Sequence, residues 1–246
     1  MTIINGPLRL PRPVFLALWR AEGLGRTPVV VEDTPMYLTG EGAAELAKRT
    51  EDLLAQLGEP VAAAVRGTLR LLASARQEVY SWTDFAAHQD DNGAILVAAS
   101  GREAIRLIAD DQYVQLDPVS PNNLVASLVL AMPDYPPAAI RPMRVPREYY
   151  DGGGAADLLD EDSGHAEEIR YLMRAPREAV HLMHAAVRDD RGARRYSPAL
   201  SVVDLPERGR VLSYQDTQNG APEISVAPGN RPALIDAVGR ALAGLR

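Results

Sequence analysis

The sequence predicts an α+β fold on a central, mostly antiparallel sheet, and three observations predict it. The strand-like runs after Arg76 follow one another across turns of a few residues, too short for the crossover that a parallel pair needs. A pattern of arginine-led strand, further strands and closing apolar helix occurs twice, REAVHLMHAAVR (residues 177–188) standing against RQEVYSWTDFAA (residues 76–87). The second occurrence closes on SVAPGNRPALIDAVGRAL (225–242) and the first on QLDPVSPNNLVASLVLAM (115–132). Amphipathic helical spacing outside the two units supplies flanking bundles. Two such units joined about a pseudo-two-fold axis give one sheet with helices on it. Residues 1–246 therefore read as a single domain with units at about 76–132 and 177–245, a helical hairpin at 41–73 and a linker at about 151–164.

Leu8 and Leu10 read as an extended lead-in, and Pro11 and Pro13 suit the entry to a helix over residues 13–22 that Gly23 or Gly25 stops. Val29, Val30 and Val31 read as a brief β-segment. From Glu41 to Leu57, Ala43, Leu46, Thr50, Leu53, Leu54 and Leu57 recur at helical spacing; Gly58 ends that helix and Pro60 begins the next, over 61–73. A connection this short makes the two helices antiparallel neighbours. Residues 79–85 alternate as a strand, residues 87–93 form a turn with Asn92-Gly93 as its hairpin signal, and strands follow at 95–99, 104–109 and 113–119. Ser120 or Asn122 would cap a helix over 123–132. A proline-rich crossover (133–146) and the glycine-rich, then acidic, linker lead to a helix at 165–173. Strands are then expected at 179–187, near 200–203, at 210–214 and at 223–227, with a final helix from about 231 to 245.

Composition narrows the function. The apolar content of 46% and charged content of 24% are those of a soluble globular protein. A net charge of −7 argues against a general nucleic-acid binder, whose affinity comes from neutralising phosphates. Arg188, Arg191, Arg194 and Arg195 could form a local basic patch, although a solvated turn is the plainer reading. No cysteine is present, which removes disulfides, thiolate nucleophiles and Cys-ligated metals together. The N-terminus lacks a signal-peptide pattern and no apolar run reaches membrane-spanning length, so a cytoplasmic location is expected. Lys48 is the sole lysine and sits in AKRT, which matches no P-loop, Schiff-base or Ser-x-x-Lys context.

Chemical motifs are sparse. His181 and His184 form H-x-x-H, but on a strand their odd offset sends them to opposite faces, where they cannot share a metal. His165 beside Glu167 and Glu168 is not a zincin motif, and AASG (98–101) lacks the flanking glycines of a nucleophile elbow. The pairs Asp90-Asp91, Asp110-Asp111 and Asp189-Asp190 fall in expected hairpin turns, where aspartate favours the turn geometry. No catalytic, cofactor or metal residues are expected.

The order and spacing of LPRPVFLALW (10–19) with GLGRTP (23–28), GREAIRLIADDQYVQLDPV (101–119), GRVLSYQD (209–216) and ISVAPGN (224–230) resemble the EspG family, chaperones of the actinobacterial ESX (type VII) secretion systems. The resemblance covers nearly the whole chain. It implies a cytosolic, non-enzymatic chaperone that binds the tip of the PPE protein in a PE–PPE heterodimer, keeps that apolar tip soluble and directs the pair to the ESX secretion machinery, with no cofactor, nucleic acid or membrane insertion. The free protein would be a monomer or homodimer. The family's substrate surface uses the sheet, a loop between early strands and the C-terminal helical region. By position alone that loop falls on residues 87–93, making His88, Gln89, Asp90, Asp91 and Asn92 the candidate binding residues. Two readings from other classes stand beside it: a metal-independent hydrolase using His88 or His181 with a nearby carboxylate, and a self-assembling structural protein.

Overall fold

The computed structural model describes residues 2–31, 39–152, 161–218 and 221–246. Among these, strand β1 (Leu8–Pro11) leads into helix α1 (Arg12–Ala21), and α2 (Gly40–Leu57) and α3 (Glu59–Ser74) form the helical hairpin. Strands β2 (Gln77–Phe85), β3 (Gly93–Ser100), β4 (Glu103–Ala109) and β5 (Tyr113–Val119) then run as a meander into α4 (Leu124–Val129). The second half opens with β6 (Met143–Pro146), α5 (Arg147–Tyr150) and α6 (Glu161–Arg174). Strands β7 (Ala179–Arg188), β8 (Arg194–Tyr196), β9 (Leu200–Leu205), β10 (Gly209–Gln218) and β11 (Ala221–Pro228) follow, and α7 (Arg231–Ala243) closes the chain.

All the paired strands are antiparallel and belong to one sheet, in the order β1-β5-β4-β3-β2-β7-β9-β10-β11-β6, with β8 pairing β7 beside this path. The order is symmetric about the β2–β7 pair. In each half the first strand returns to the outer edge, against the last strand of its own meander. Both edge strands have four residues and end in proline, at Pro11 and Pro146. Short, proline-ended edges resist pairing with another chain.

The two faces of the sheet are covered differently. On the face called here the bundle face, α1, α2 and α3 bury the first half around Phe15, Trp19, Leu69, Leu96, Leu107 and Leu116. On the same face α6 covers the second half with Ala166, Ile169 and Leu172 over Val145, Val203, Val211 and Val226. The opposite face carries α4 and α7, which meet over the centre and bury Val79, Val97, Met183, Ala185 and Val202 with Leu128, Leu234 and Val238. Thr39 caps α2 and Asn230 caps α7 through their side chains.

Several expectations change. The repeat is present, but aligning Tyr80 with His181 is one residue out of register: Tyr80 lies opposite His184 across the strands, on the bundle face, while His181 opposes Thr83 on the other. A slip of one residue exchanges the faces of a strand. Val29, Val30 and Val31 lie in a turn closed by Val31 N–H to Pro28 O (2.8 Å) and by the Thr27 hydroxyl to Val31 O (2.8 Å). Val30 and Val31 are buried in the bundle, so β-branching there serves packing. Neither Ser120 nor Asn122 caps α4: a 3₁₀ turn over Pro121–Asn123 leads in, without a side-chain cap. The crossover contains β6, and a third short strand, β8, follows the 189–192 turn. Helix α6 begins at Glu161, inside the expected linker, of which residues 153–160 lie outside the described residues.

Candidate protein-docking face

The central strands β2 and β7 carry alternate residues to each face, and on the bundle face neither α3 nor α6 reaches over them fully. Trp82 and Leu182 are directly opposed across the two strands. Leu182 is 41% exposed and Trp82 half-buried. His184 stacks on Tyr80 at 5.3 Å and meets the edge of Trp82 at 5.7 Å, making an aromatic cluster along this band. Tyr196, 50% exposed, extends it past Ala186, its partner in the β7–β8 pair. On the other side Leu182 is followed across the sheet by Ser201 and Ser213. These two serines floor a cleft of about 380 Å³ under α6, walled by Ile169, Met173, Tyr150 and Ile224. The result is an open, half-apolar band bounded by helices on both sides, a shape suited to receiving the end of another protein's helices.

The expected site loop stands at one end of this band. His88, Gln89, Asp90 and Asp91 are exposed around a 3₁₀ turn over Gln89–Asp91. Asn92 plays a different part. Its φ of −57° is not that of a type I′ hairpin turn. Its side-chain oxygen instead accepts from Phe85 N–H (2.7 Å) and its amide donates to Asp84 (3.0 Å). Asp84 lies on the same face as Trp82, so this tie sets the loop at the margin of the band. Ala86 N–H to Glu178 O (3.0 Å) fastens the loop to the start of β7. Gly93 is needed for close approach: a Cβ there would lie 3.0 Å from Ala109 O.

Beneath the other face of the same strands is a polar knot. His181 is fully buried, with Nδ1 2.8 Å from the Thr83 hydroxyl and Nε2 3.1 Å from Asp204. One tautomer satisfies both contacts: Nε2–H donates to the carboxylate and Nδ1 accepts from Thr83. Arg210 closes the set with a bidentate bond to Asp204 (2.6 and 2.8 Å). Burial raises the Asp204 pKa, but hydrogen bonds from Arg210 and His181, with the Arg210 charge, outweigh it and hold the carboxyl below its ordinary value. Pro136 O and Ala138 N–H bind the Arg210 backbone, and Gly229 N–H shares its carbonyl. At Gly209 (φ 94°) and Gly229 an added Cβ would strike Pro137 or the Arg210 side chain.

Thr83, His181 and Asp204 have the connectivity of a nucleophile, base and orienting acid. Yet Thr83 is 9% exposed, His181 0% and Asp204 2%, and Arg210 occupies the carboxylate. A substrate cannot reach the hydroxyl, so the set ties strands β2, β7, β9 and β10 together. His184 lies on the opposite face, against Tyr80, and among the described residues no three His, Asp or Glu side chains are grouped to hold a metal ion. His88 is exposed in its loop. The sequence pointed to the loop but not to the band, although alternation in EVYSWTDF already places Tyr80 and Trp82 on one side.

Among the described residues no helix is long and apolar enough to cross a membrane. A search of curated proteins finds no match. Among solved structures the chain is similar to the Mycobacterium tuberculosis type VII secretion system chaperone EspG5, solved in complex with a PE25–PPE41 dimer. The TM-score is 0.66 at 17% identity, over 98% of this chain and 97% of that one, a likeness of fold. The EspG family model matches residues 12–240. With that match spanning most of its length, the chain belongs to the EspG family.

Proposed function

We propose that this protein is a cytoplasmic, non-catalytic chaperone that binds a PE–PPE heterodimer through the open band on its bundle face. The observation that carries the reading is the pair Trp82 and Leu182, half-buried and 41% exposed, at the centre of a sheet face that helices cover on both sides. An exposed apolar patch at that position needs a partner. A PPE helical tip laid across Trp82 and Leu182 with its end in the cleft under α6 would bury apolar surface on both molecules. Masking of this kind keeps an aggregation-prone tip soluble by mass action, and handover at the secretion machinery then follows from competition for the same tip. Family membership and the EspG5 complex support the choice of partner class. His88, Gln89, Asp90 and Asp91 would touch the flank of the partner, their exposure and the Asn92 bond that holds their turn supporting this reading.

The experiment is co-expression with PE–PPE pairs from the same organism, followed by size-exclusion chromatography and calorimetry. A one-to-one complex with one pair is expected, and Leu182→Asp is expected to weaken it at least about thirtyfold, the size of a buried interface anchor. Binding by Leu182→Asp and Trp82→Ala at wild-type strength would remove the band as the docking face. Failure of every pair to bind would remove the function.

A further inference from the structure

A second cleft, of about 340 Å³, opens at the far end of the band and is built differently. Leu24, Val29 and Tyr196 form apolar wall beside the buried Trp19 and Leu72, and three cations, Arg26, Arg188 and Arg194, line it. Arg194 is paired with Glu78. Arg188 feels the charge of the same Glu78 without a direct bond to it, and Arg26 has no carboxylate partner among the described residues. Arg188 donates only to carbonyl oxygens, those of Ala73 (3.0 Å), Ala75 (3.3 Å) and Gly192 (3.4 Å). Arg26 is exposed and makes no ion pair or hydrogen bond among the described residues. The nearby acids are engaged elsewhere: Asp189 accepts from the backbone of Arg191 and Ala193, and Asp190 pairs with Arg76. A chain of net charge −7 thus sets two guanidinium groups with no direct carboxylate bond among the described residues at the mouth of a half-apolar cleft. A solvated turn does not account for this, since Arg188 and Arg194 are half-buried.

We propose that this cleft is a binding site for a carboxylate joined to an apolar group. Arg26 and Arg188 would receive the charge, and Leu24, Val29 and Tyr196 the apolar body, against the buried edge of Trp19. Guanidinium donors suit a carboxylate in geometry and in charge. Two sources offer this chemistry: a free organic acid, or an acidic residue of a protein seated on the band, which Tyr196 joins to the cleft.

The protein supplies its own reporter. It has two tryptophans, so Trp82→Phe leaves Trp19, in the wall of the cleft, as the sole emitter. Octanoate added to this variant should shift Trp19 emission saturably, with octanol and acetate at equal concentration giving no saturable shift. Arg26→Glu, at an exposed and unpaired position, should weaken octanoate about fivefold or more with an unchanged melting profile, and Arg188→Gln should act in the same direction. An equal response to octanol, or an octanoate midpoint indifferent to Arg26→Glu, overturns the proposal. The second arm adds saturating octanoate to the isolated complex with a PE–PPE heterodimer: displacement assigns the cleft to a carboxylate of the partner, and retention with octanoate bound assigns it to a free acid. The first arm needs no partner, so its outcome is independent of the docking reading.

Discussion

Strands β2 and β7 lie side by side at the centre of the sheet, and their two faces reverse the usual distribution of polar and apolar groups. On the face under α4 and α7, Thr83 and His181 enter a buried polar knot with Asp204 and Arg210. On the bundle face, one residue away along the same strands, Trp82 and Leu182 lie partly open to water. The polar set is inside and the apolar set outside. Buried polar groups are costly unless every one is satisfied. This set is satisfied by mutual pairing, and its four members come from four different strands, so it holds only when the register across β2, β7, β9 and β10 is correct. In the band, Trp82 keeps one side on the core, while Leu182 is open and available to a partner. Substitutions on the two faces should therefore divide cleanly between stability and binding.

The largest expected effect breaks the knot. Asp204→Ala leaves Arg210 buried without its counter-charge, and urea denaturation should show a loss of about 3–5 kcal/mol. The double variant Asp204→Leu with Arg210→Met removes both charges, and it should recover most of that loss because no ion is then stranded. A loss below about 1 kcal/mol in Asp204→Ala would mean that water relieves the site and that the knot does not hold the register. Acid should act on the same group. Its folded pKa lies below the ordinary 3.8, so its contribution is present above pH 3.8 and is lost as pH falls through the folded value. Asp204→Ala should lack this acid-dependent component.

On the opposite face Leu182→Asp should do the reverse. Stability should stay within about 0.5 kcal/mol, as for a surface substitution, while the complex is lost. A large loss of stability would show that Leu182 belongs to the core and would dissolve the contrast between the faces.

Much of this arrangement was legible beforehand. Alternation and turn residues predict β2 to β5, and glycine and proline punctuation predict α2 and α3, because these signals are local. Strands β6 and β8 were not legible. Each has four residues or fewer and carries no alternation long enough to read; each exists because a neighbouring strand offers it an edge. The turn at Val29, Val30 and Val31 misled for the converse reason, since β-branched residues there fill the bundle. The knot needs a register between β7, β9 and β10, which brings His181 and Arg210 to the one Asp204 carboxylate, and no pattern in the sequence specifies it. The family resemblance indicated the loop; the band beside it emerged only once two strands from different halves had been paired.

That loop sharpens the contrast at its margin. His88, Gln89, Asp90 and Asp91 are exposed, whereas Asn92 bonds to Phe85 and Asp84. Replacing residues 88–91 by Gly and Ser while keeping Asn92 should leave stability within about 0.5 kcal/mol. Asn92→Ala alone should cost about 1 kcal/mol for the lost turn bonds. If the four exposed residues touch the partner, the segment replacement weakens binding more than Asn92→Ala does. The opposite order would assign the loop's effect to shape alone, and calorimetry on the two variants separates the cases.

The smallest effect concerns Glu78, on the bundle face of β2. Burial raises its pKa above the ordinary 4.5, and the Arg194 charge and hydrogen bond offset this only in part. The sign is opposite to that of Asp204: the folded state holds the proton more tightly than the unfolded chain, so stability falls as pH rises from 4.5 through the folded value. Glu78→Gln keeps a hydrogen-bond acceptor for Arg194 and removes the titration. Its melting temperature should therefore decline less than wild type as pH rises above 4.5. An identical decline in both proteins would mean that Arg194 fully compensates the carboxylate. In that case both charged sites at the centre of the sheet would be neutral pairs, and only the band would distinguish its two faces.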